Sequence, residues 1–312
     1  MEIHTHKIGG RVFGNNFSET IPQMETVIKN SGCFDKNMSH VVIISGFGDV
    51  TNRLLQIAQS GDPYPELRAL YHQYAEQIDL LSKNGSISDK AYSSMKFWHA
   101  ECKDNHFQFI HEYDRYGDKN VPIFTDKRLL DTHLSFGEIF STKIVYLYLL
   151  EKKLHHLPLS HLDATRMLVT DDVYGNAVID FEESQKLIDV RLQNLTIPHL
   201  IVAEGFIGKT KEGKITTLGR EGSDYSAAAF ARLMKSKSLT LWKDVDGIYN
   251  LDPKIHGNAK MYEKLQFEKM QKKSKHGMKI VHQKVAETLI GQNIPLRIRS
   301  FFKLDNKGTL IY

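Results

Sequence analysis

The stretch Gly219-Arg220-Glu221-Gly222-Ser223-Asp224-Tyr225-Ser226 precedes an apolar helical run from Ala227 to Met234. Glycine lets the backbone approach a ligand closely, and the first N–H groups of a helix point at a negative group that docks there. The stretch therefore has the features of an anion site at a helix start. On its own it could equally be an ordinary turn with a helix cap, because short motifs give false positives.

The segments on either side of this loop have the pattern of strands. Residues 198–208 form an apolar run that ends in a glycine turn, and residues 238–245 form a second run. Strand, glycine loop, helix and strand make one parallel βαβ unit, with the loop at the carboxyl edge of the sheet. Two more strand-to-glycine junctions lie earlier, at residues 7–10 and 41–52. The repetition favours a ligand site over a simple turn.

Length and composition limit the class of protein. The chain has 312 residues, of which 41% are hydrophobic, and this suits one large domain or two modest ones. No apolar run approaches the roughly 20 residues of a bilayer span, and no secretory pattern opens the chain, so we expect a cytoplasmic protein with no membrane contact. Two cysteines, Cys33 and Cys102, exclude a disulfide scaffold and a cysteine metal site.

The charge pattern does not indicate a nucleic-acid partner. The net charge is +4, but basic residues are spread along the chain. The dense lysine cluster at 269–275 lacks interleaved aromatic residues, and it favours a solvated helix face or a polyphosphate contact. His4 and His6 have no third partner at a ligand spacing, so no protein metal site is predicted.

The middle of the chain, residues 53–130, is divided by turn signals into predicted helices. The helix that starts near Ser88 carries apolar side chains at helical spacing, namely Tyr92, Met95, Trp98, Cys102 and Phe109. This stripe is typical of core packing.

Seven motifs follow one another along the chain: KIGG at 7–10, SGFGDVTN at 45–52, LSFGEIFST at 134–142, GFIG at 205–208, TTLGREGSDYSAA at 216–228, KDVDGIYNLDPK at 243–254 and HGMKIVH at 276–282. In this order they resemble the aspartate kinases of the amino acid kinase family. The resemblance implies an α/β fold, a three-layer αβα sandwich with a mostly parallel central sheet. It also implies one catalytic domain over 1–312, with an amino-acid-binding lobe at 1–195, a helical insertion at about 55–130 and a nucleotide-binding lobe at 196–312.

The implied activity is ATP-dependent phosphorylation of the side-chain carboxylate of L-aspartate to 4-phospho-L-aspartate. This is the first step of the pathway to lysine and threonine. ATP and Mg²⁺ are the implied cofactors, with few dedicated protein ligands for the metal, and the resemblance allows a homodimer. Most aspartate kinases that resemble this chain continue into C-terminal ACT domains, and we expect none here.

The reaction itself predicts which side chains are needed. Phosphoryl transfer to a carboxylate brings two anions together, so lysines should dominate the centre. A carboxylate with a pKa of roughly 4 is already ionised and needs no general base. The resemblance places Lys7 and Lys279 at the phosphates and Asp224 as the carboxylate that positions them. The N–H groups of Gly9 and Gly10 can cradle the transferring group.

The amino-acid substrate needs a carboxylate for its ammonium, a guanidinium for its α-carboxylate and small hydroxyls beside them. The residues at the matching family positions are Glu138, Arg220, Ser45, Thr51 and Ser223. Each has a structural reading as well: Glu138 as a helix-start carboxylate, Ser45 and Thr51 as turn residues.

On the nucleotide side, the resemblance implies Lys243, Asp244, Tyr249 and Lys254, together with Lys279. Asp252-Pro253 also reads as a plain turn.

Four positions depart from the family pattern. Arg11 stands where a hydroxyl residue is usual, Glu221 replaces a glycine, Lys243 replaces a threonine and Lys254 replaces an arginine. A carboxylate at Glu221 would weaken binding of an anionic substrate unless Arg11 or a lysine pairs with it. Arg11 and Glu221 are therefore a candidate compensating pair.

Two alternatives remain open. One is a kinase of a different acceptor, such as glutamate, N-acetylglutamate, a specialised carboxylate metabolite or a nucleoside monophosphate. Glu138 with Arg220 favours a free α-amino acid. The other is an inactive family member that acts as a binding subunit, and the joint presence of Lys7, Asp224 and Lys279 argues against it.

Overall fold

The computed structural model describes residues 2–31, 33–35, 37–116, 124–153, 157–193, 195, 198–251, 253, 255–270, 281 and 283–312, with the backbone alone at 113, 115 and 116. The strands are β1 (Ile3–Ile8), β2 (Ser39–Ile44), β3 (Leu159–Leu162), β4 (Val169–Thr170), β5 (Leu200–Glu204), β6 (Ile207–Thr210), β7 (Ile215–Thr217), β8 (Ser238–Lys243), β9 (Lys264–Leu265), β10 (Leu296–Ser300) and β11 (Thr309–Ile311).

The α-helices are α1 (Gly10–Phe13), α2 (Phe17–Thr20), α3 (Gln23–Asn30), α4 (Val50–Gln59), α5 (Tyr64–Lys83), α6 (Asp89–Tyr116), α7 (Lys127–Lys152), α8 (Phe181–Gln193), α9 (Gly222–Leu233) and α10 (Gln283–Leu289). No helix within the described ranges has the length and apolar character to span a membrane.

The main sheet has eight strands in the order β3-β5-β2-β1-β8-β10-β11-β9. Every neighbouring pair is parallel except β10 with β11. All six residues of β2 are buried, as expected of a strand inside a parallel sheet that helices cover. Helix α7 packs against β2, β3 and β5, and α9 packs against β1, β2 and β8. The predicted mostly parallel central sheet flanked by helices is confirmed.

Strand β1 lies between β2 and β8, and this placement builds the site. Ile8 is in register with Ile44 on one side and with Trp242 on the other. Ile44 is in turn in register with Glu204. The residues that follow these strands therefore meet at one carboxyl edge, which is where ligands bind in such sheets.

The glycine loop at 219–222 differs from its expected setting. It does not follow a strand of the main sheet directly, because a hairpin of β6 and β7 is inserted after β5. This hairpin belongs to a second sheet, in the order β4-β6-β7. The unit from β5 to β8 also passes over two strands, since β2 and β1 lie between them. Strand patterns in a sequence do not show which sheet a short strand joins.

The helices between residues 50 and 152 pack through aromatic and histidine side chains. Met95 and Cys102 are buried, and Tyr92, Trp98 and Phe109 pack partly buried against the core, which confirms the predicted stripe.

A directed chain of hydrogen bonds ties these helices together. Nε2 of His133 donates to the Leu54 carbonyl (2.9 Å), so its Nδ1 accepts from Nε2 of His106 (2.8 Å). The Nδ1 of His106 then accepts from the Tyr71 hydroxyl (3.0 Å). Each group is satisfied when both histidines are neutral, and burial lowers the pKa of His133 to about 4.

Candidate active site

Three charged side chains meet at the carboxyl edge of the sheet. Lys7 comes from β1, Asp224 from the first turn of α9 and Lys243 from the end of β8. The Lys7 Nζ lies 2.7 Å from Oδ1 of Asp224, and the Lys243 Nζ donates to Oδ2 at 2.7 Å. Asp224 is only 2% exposed. Burial alone would raise the pKa of Asp224, but the charges of Lys243 and Lys7 outweigh it and hold this pKa well below its usual range.

Two glycine loops lie against each other beside this triad. The N–H of Gly48 donates to the Gly10 carbonyl at 2.9 Å, and a Cβ at Gly10 would overlap the carbonyl oxygen of Gly46. The N–H of Gly9 donates to the Trp242 carbonyl at 3.2 Å. Gly10 opens α1, and the first amides of a helix have no partner within it. A phosphate cradle at this loop would therefore use Gly10 first.

Glu138 lies inside α7 and not at a helix start, so the interpretation as a dipole-stabilised carboxylate does not hold. It is 2% exposed, and its Oε2 accepts from the N–H of Gly46 at 2.6 Å. Burial raises the pKa of Glu138 to about 8, although Gly46, Lys7 and Thr51 act in the opposite direction. Glu138 is thus a buried carboxyl that only a cationic partner would fully ionise at neutral pH.

Of the three predicted hydroxyls, that of Thr51 contacts this carboxyl, and those of Ser45 and Ser223 lie on segments at the same edge of the sheet. Ser45 directly follows β2, and its buried Oγ has no hydrogen-bond partner within the described residues. Thr51, in the first turn of α4, interacts with the Glu138 carboxyl. Ser223 packs on Gly205, where a Cβ would lie 2.7 Å from the Ser223 Cβ. A buried hydroxyl without a partner is costly unless a ligand satisfies it.

Arg220 and Glu221 are both exposed in the loop before α9. Glu221 has a φ of 56°, the left-handed region that favours glycine, so the family's usual glycine has a backbone reason. The expected pairing with Arg11 is wrong: of the described charged residues, neither Arg11 nor Glu221 forms an ion pair. Burial lowers the pKa of Lys243, but the charge of Asp224 outweighs it, and Glu221 adds to this rise in the pKa of Lys243.

The other residues predicted on the nucleotide side have fewer described contacts with the triad of Lys7, Asp224 and Lys243. Asp244 is exposed directly after Lys243. Tyr249 pairs with Met261 in an isolated antiparallel bridge, and no contact described for it reaches the triad. Lys254 and Lys279 lie outside the described residues, as does most of the lysine cluster at 269–275.

Two carboxylates of this region had no part in the predicted site. Glu204, at the end of β5, accepts from Ala164 N at 2.8 Å and pairs with Nε2 of His161 at 2.5 Å. Its charge adds to the raised pKa of Glu138. Glu204 directly precedes the GFIG motif, which was a usable signal; His161 carried none.

Asp131, the second of these carboxylates, connects α7 to the end of β7, just before the glycine loop. It accepts from Thr217 N at 2.7 Å, Thr217 Oγ1 at 2.8 Å and Gly175 N at 2.9 Å. The helix that carries Glu138 therefore also holds the segment leading to Arg220.

The chain is similar to proteins of known family. Bifunctional aspartokinase/homoserine dehydrogenase 2 of Arabidopsis thaliana, a chloroplastic protein, is 29% identical over 310 residues, covering 98% of this chain and 32% of the relative. Aspartokinase of Chlamydia trachomatis is 34% identical over 179 residues, covering 57% of this chain and 40% of its own length. This chain thus spans less than half of these curated relatives.

A solved structure, Escherichia coli aspartokinase III in complex with aspartate and ADP, has the same fold. Its TM-score is 0.83 at 24% identity, over 99% of this chain and 64% of that one. The sequence model of the amino acid kinase family matches residues 5–300. The family expected from the ordered motifs is thereby confirmed, and the chain belongs to the amino acid kinase family.

Proposed function

We propose that this protein transfers the γ-phosphoryl group of ATP to the side-chain carboxylate of L-aspartate. The observation that carries the proposal is the position of Lys7. Its ammonium pairs with Asp224 in the triad, and its charge also acts on the buried Glu138. A cationic centre is therefore adjacent to a carboxyl suited to a substrate ammonium. The curated relatives named aspartokinase support the same acceptor.

The residues of the site have two roles, substrate binding and charge neutralisation. Glu138 binds the ammonium of the substrate and Arg220 its α-carboxylate. The Oγ of Ser45, which has no hydrogen-bond partner among the described residues, donates to an oxygen of the substrate. The substrate's side-chain carboxylate attacks the γ-phosphorus as the bond to the bridging oxygen breaks. Lys7 neutralises the charge that accumulates on the transferring group, and Asp224 holds Lys7 in place.

The proposed cofactors of the reaction are ATP and Mg²⁺. No group of three His, Cys, Asp or Glu side chains suited to a metal occurs in the described parts of the chain. Both oxygens of Asp224 are already engaged by lysines. We therefore propose that Mg²⁺ is bound through the phosphates of ATP, where it offsets their charge. The cytoplasmic location, the homodimer and the lysine and threonine pathway stay predictions.

The direct test is an acceptor screen. Purified protein with Mg²⁺-ATP and L-aspartate should form an acyl phosphate that hydroxylamine traps as a coloured hydroxamate. N-acetyl-L-aspartate and nucleoside monophosphates should fail, because they bring no cation to the buried Glu138 carboxyl and so lose a charged hydrogen bond worth about 1.5–3 kcal/mol. ATP binding without turnover of any acceptor would point to the inactive binding subunit instead. Turnover of N-acetylated acids alone would refute the role of Glu138.

The second test is the pH dependence of substrate affinity. Because the pKa of Glu138 is raised to about 8 in the ligand-free site, aspartate must displace a proton from it to bind at neutral pH. The KM for aspartate should therefore fall, by up to tenfold per pH unit, as the pH rises towards 8, and level off above it. The KM for ATP is the internal control. A flat aspartate profile between pH 6 and 8 would contradict this assignment.

A further inference from the structure

We propose that Lys243 is a further catalytic lysine, whose ammonium binds the transferring phosphoryl group of ATP together with Lys7. This inference rests on the proposed kinase function and deepens it. The family motif has a threonine at this position, and the sequence placed Lys243 only on the nucleotide side. The structure instead brings its Nζ to 2.7 Å from Oδ2 of Asp224.

Lys7 and Lys243 have similar positions relative to Asp224. Strands β1 and β8 are parallel neighbours, and Lys7 is in register with Leu241, two residues before Lys243. The two ammonium groups therefore approach the same carboxylate from adjacent strands, each on its own oxygen. One buried side chain positions both of them. A ligand phosphate that reaches the Lys7 ammonium also lies close to that of Lys243.

The charges in the described triad do not cancel. Lys7 and Lys243 supply two positive charges, and Asp224 supplies one negative charge. Glu138 does not restore the balance in the ligand-free site, because its carboxyl is mostly protonated at neutral pH. A net positive charge beside an almost fully buried carboxylate favours an anionic ligand strongly, since the surrounding dielectric is low.

Two further carboxylates face Lys243, but neither removes its charge. Glu221 and Asp244 both act on it electrostatically. Both are exposed, so solvent and salt screen them, and neither lies within ion-pair distance of the Nζ of Lys243. The side chains of Lys7 and Lys243 are 10% and 23% exposed, so neither side chain is completely enclosed by the protein.

The kinetic test uses Lys243→Met, with Lys243→Thr as the family-like variant and Lys243→Arg as the charge-preserving one. Both neutral variants should lower kcat by about a hundredfold, with a smaller change in the KM for aspartate, and Arg should recover part of the loss. Lys214→Met, which removes an exposed lysine in the turn between β6 and β7, should leave kcat unchanged. Melting temperatures near that of the wild type establish that the variants fold.

A binding measurement separates this inference from the proposed function. Calorimetry with ATP and AMP needs no acceptor, so it remains decisive even if aspartate proves to be the wrong substrate. Wild type should bind ATP more tightly than AMP, and Lys243→Met should reduce that ratio by at least tenfold. The inference would be overturned if Lys243→Met weakened the binding of ATP and of AMP equally, or if it kept the full wild-type kcat. Lys243 would then be a residue that contacts the nucleoside.

Discussion

Replacing Lys7 by methionine is expected to lower kcat by a hundredfold to a thousandfold, the loss typical of one preorganised electrostatic donor, about 3–4 kcal/mol. The Lys7 ammonium neutralises charge that develops only as the phosphoryl group is transferred, so the KM for aspartate should change much less. The fold should persist, because Asp224 keeps its ion pair with Lys243. Steady-state kinetics of the trapped acyl phosphate measure both constants.

The matched control for this experiment is Lys214→Met, which removes a lysine that is exposed to solvent. It should behave as the wild type in both constants. A Lys7→Met enzyme that retained most of its kcat would remove Lys7 from the reaction centre. A double variant with Lys243→Met should lose less than the product of the two single effects, since neighbouring charges in one triad couple.

Replacing Glu138 by glutamine is expected to raise the KM for aspartate by more than an order of magnitude. Loss of one partner from a buried hydrogen-bonded charge pair costs about 2–5 kcal/mol. Glutamine retains an oxygen that can accept from Gly46, so the loop at the end of β2 should keep its position. The KM for ATP should change little.

The control for Glu138→Gln is Glu101→Gln, on the exposed side of α6. It should leave the KM for aspartate as it is. The pH dependence of that KM between 6 and 8 should also disappear in Glu138→Gln, because glutamine has no proton to lose. A variant with normal aspartate affinity would mean that another group binds the substrate ammonium.

The main sheet could be predicted well because the motifs that indicate it are each contained in a short stretch of sequence. Each strand-to-glycine junction is contiguous in sequence, and parallel strands bring such junctions to one edge, so Lys7 and Asp224 meet as the motifs suggested. The roles of these residues stay predictions. The second sheet was missed because β7 is three residues long and its partners depend on tertiary packing.

The electrostatics of the site were less predictable. Arg11 and Glu221 both differ from the family pattern, and this suggested an ion pair between them. Whether two side chains meet depends on the position and direction of the backbone at each residue, which the residue types do not show. Lys243 was placed on the nucleotide side by its motif, whereas its contact with Asp224 depends on the order of the strands in the sheet. The raised pKa of Glu138 follows from burial, which no residue type reveals on its own.

The central position of β1 has a consequence for how the chain folds. Its pairing with β2 joins residues close in sequence, but His4 meets its β8 partner Ser238 across most of the chain. Contacts of such long range are slow to form, because a large loop must close first. On the ribosome, one edge of β1 stays without its strand partner until residues 238–243 have been synthesised. The protein thus acquires its cationic centre late in biosynthesis, and a nascent chain presents an unpaired strand edge that is open to aggregation or to a chaperone.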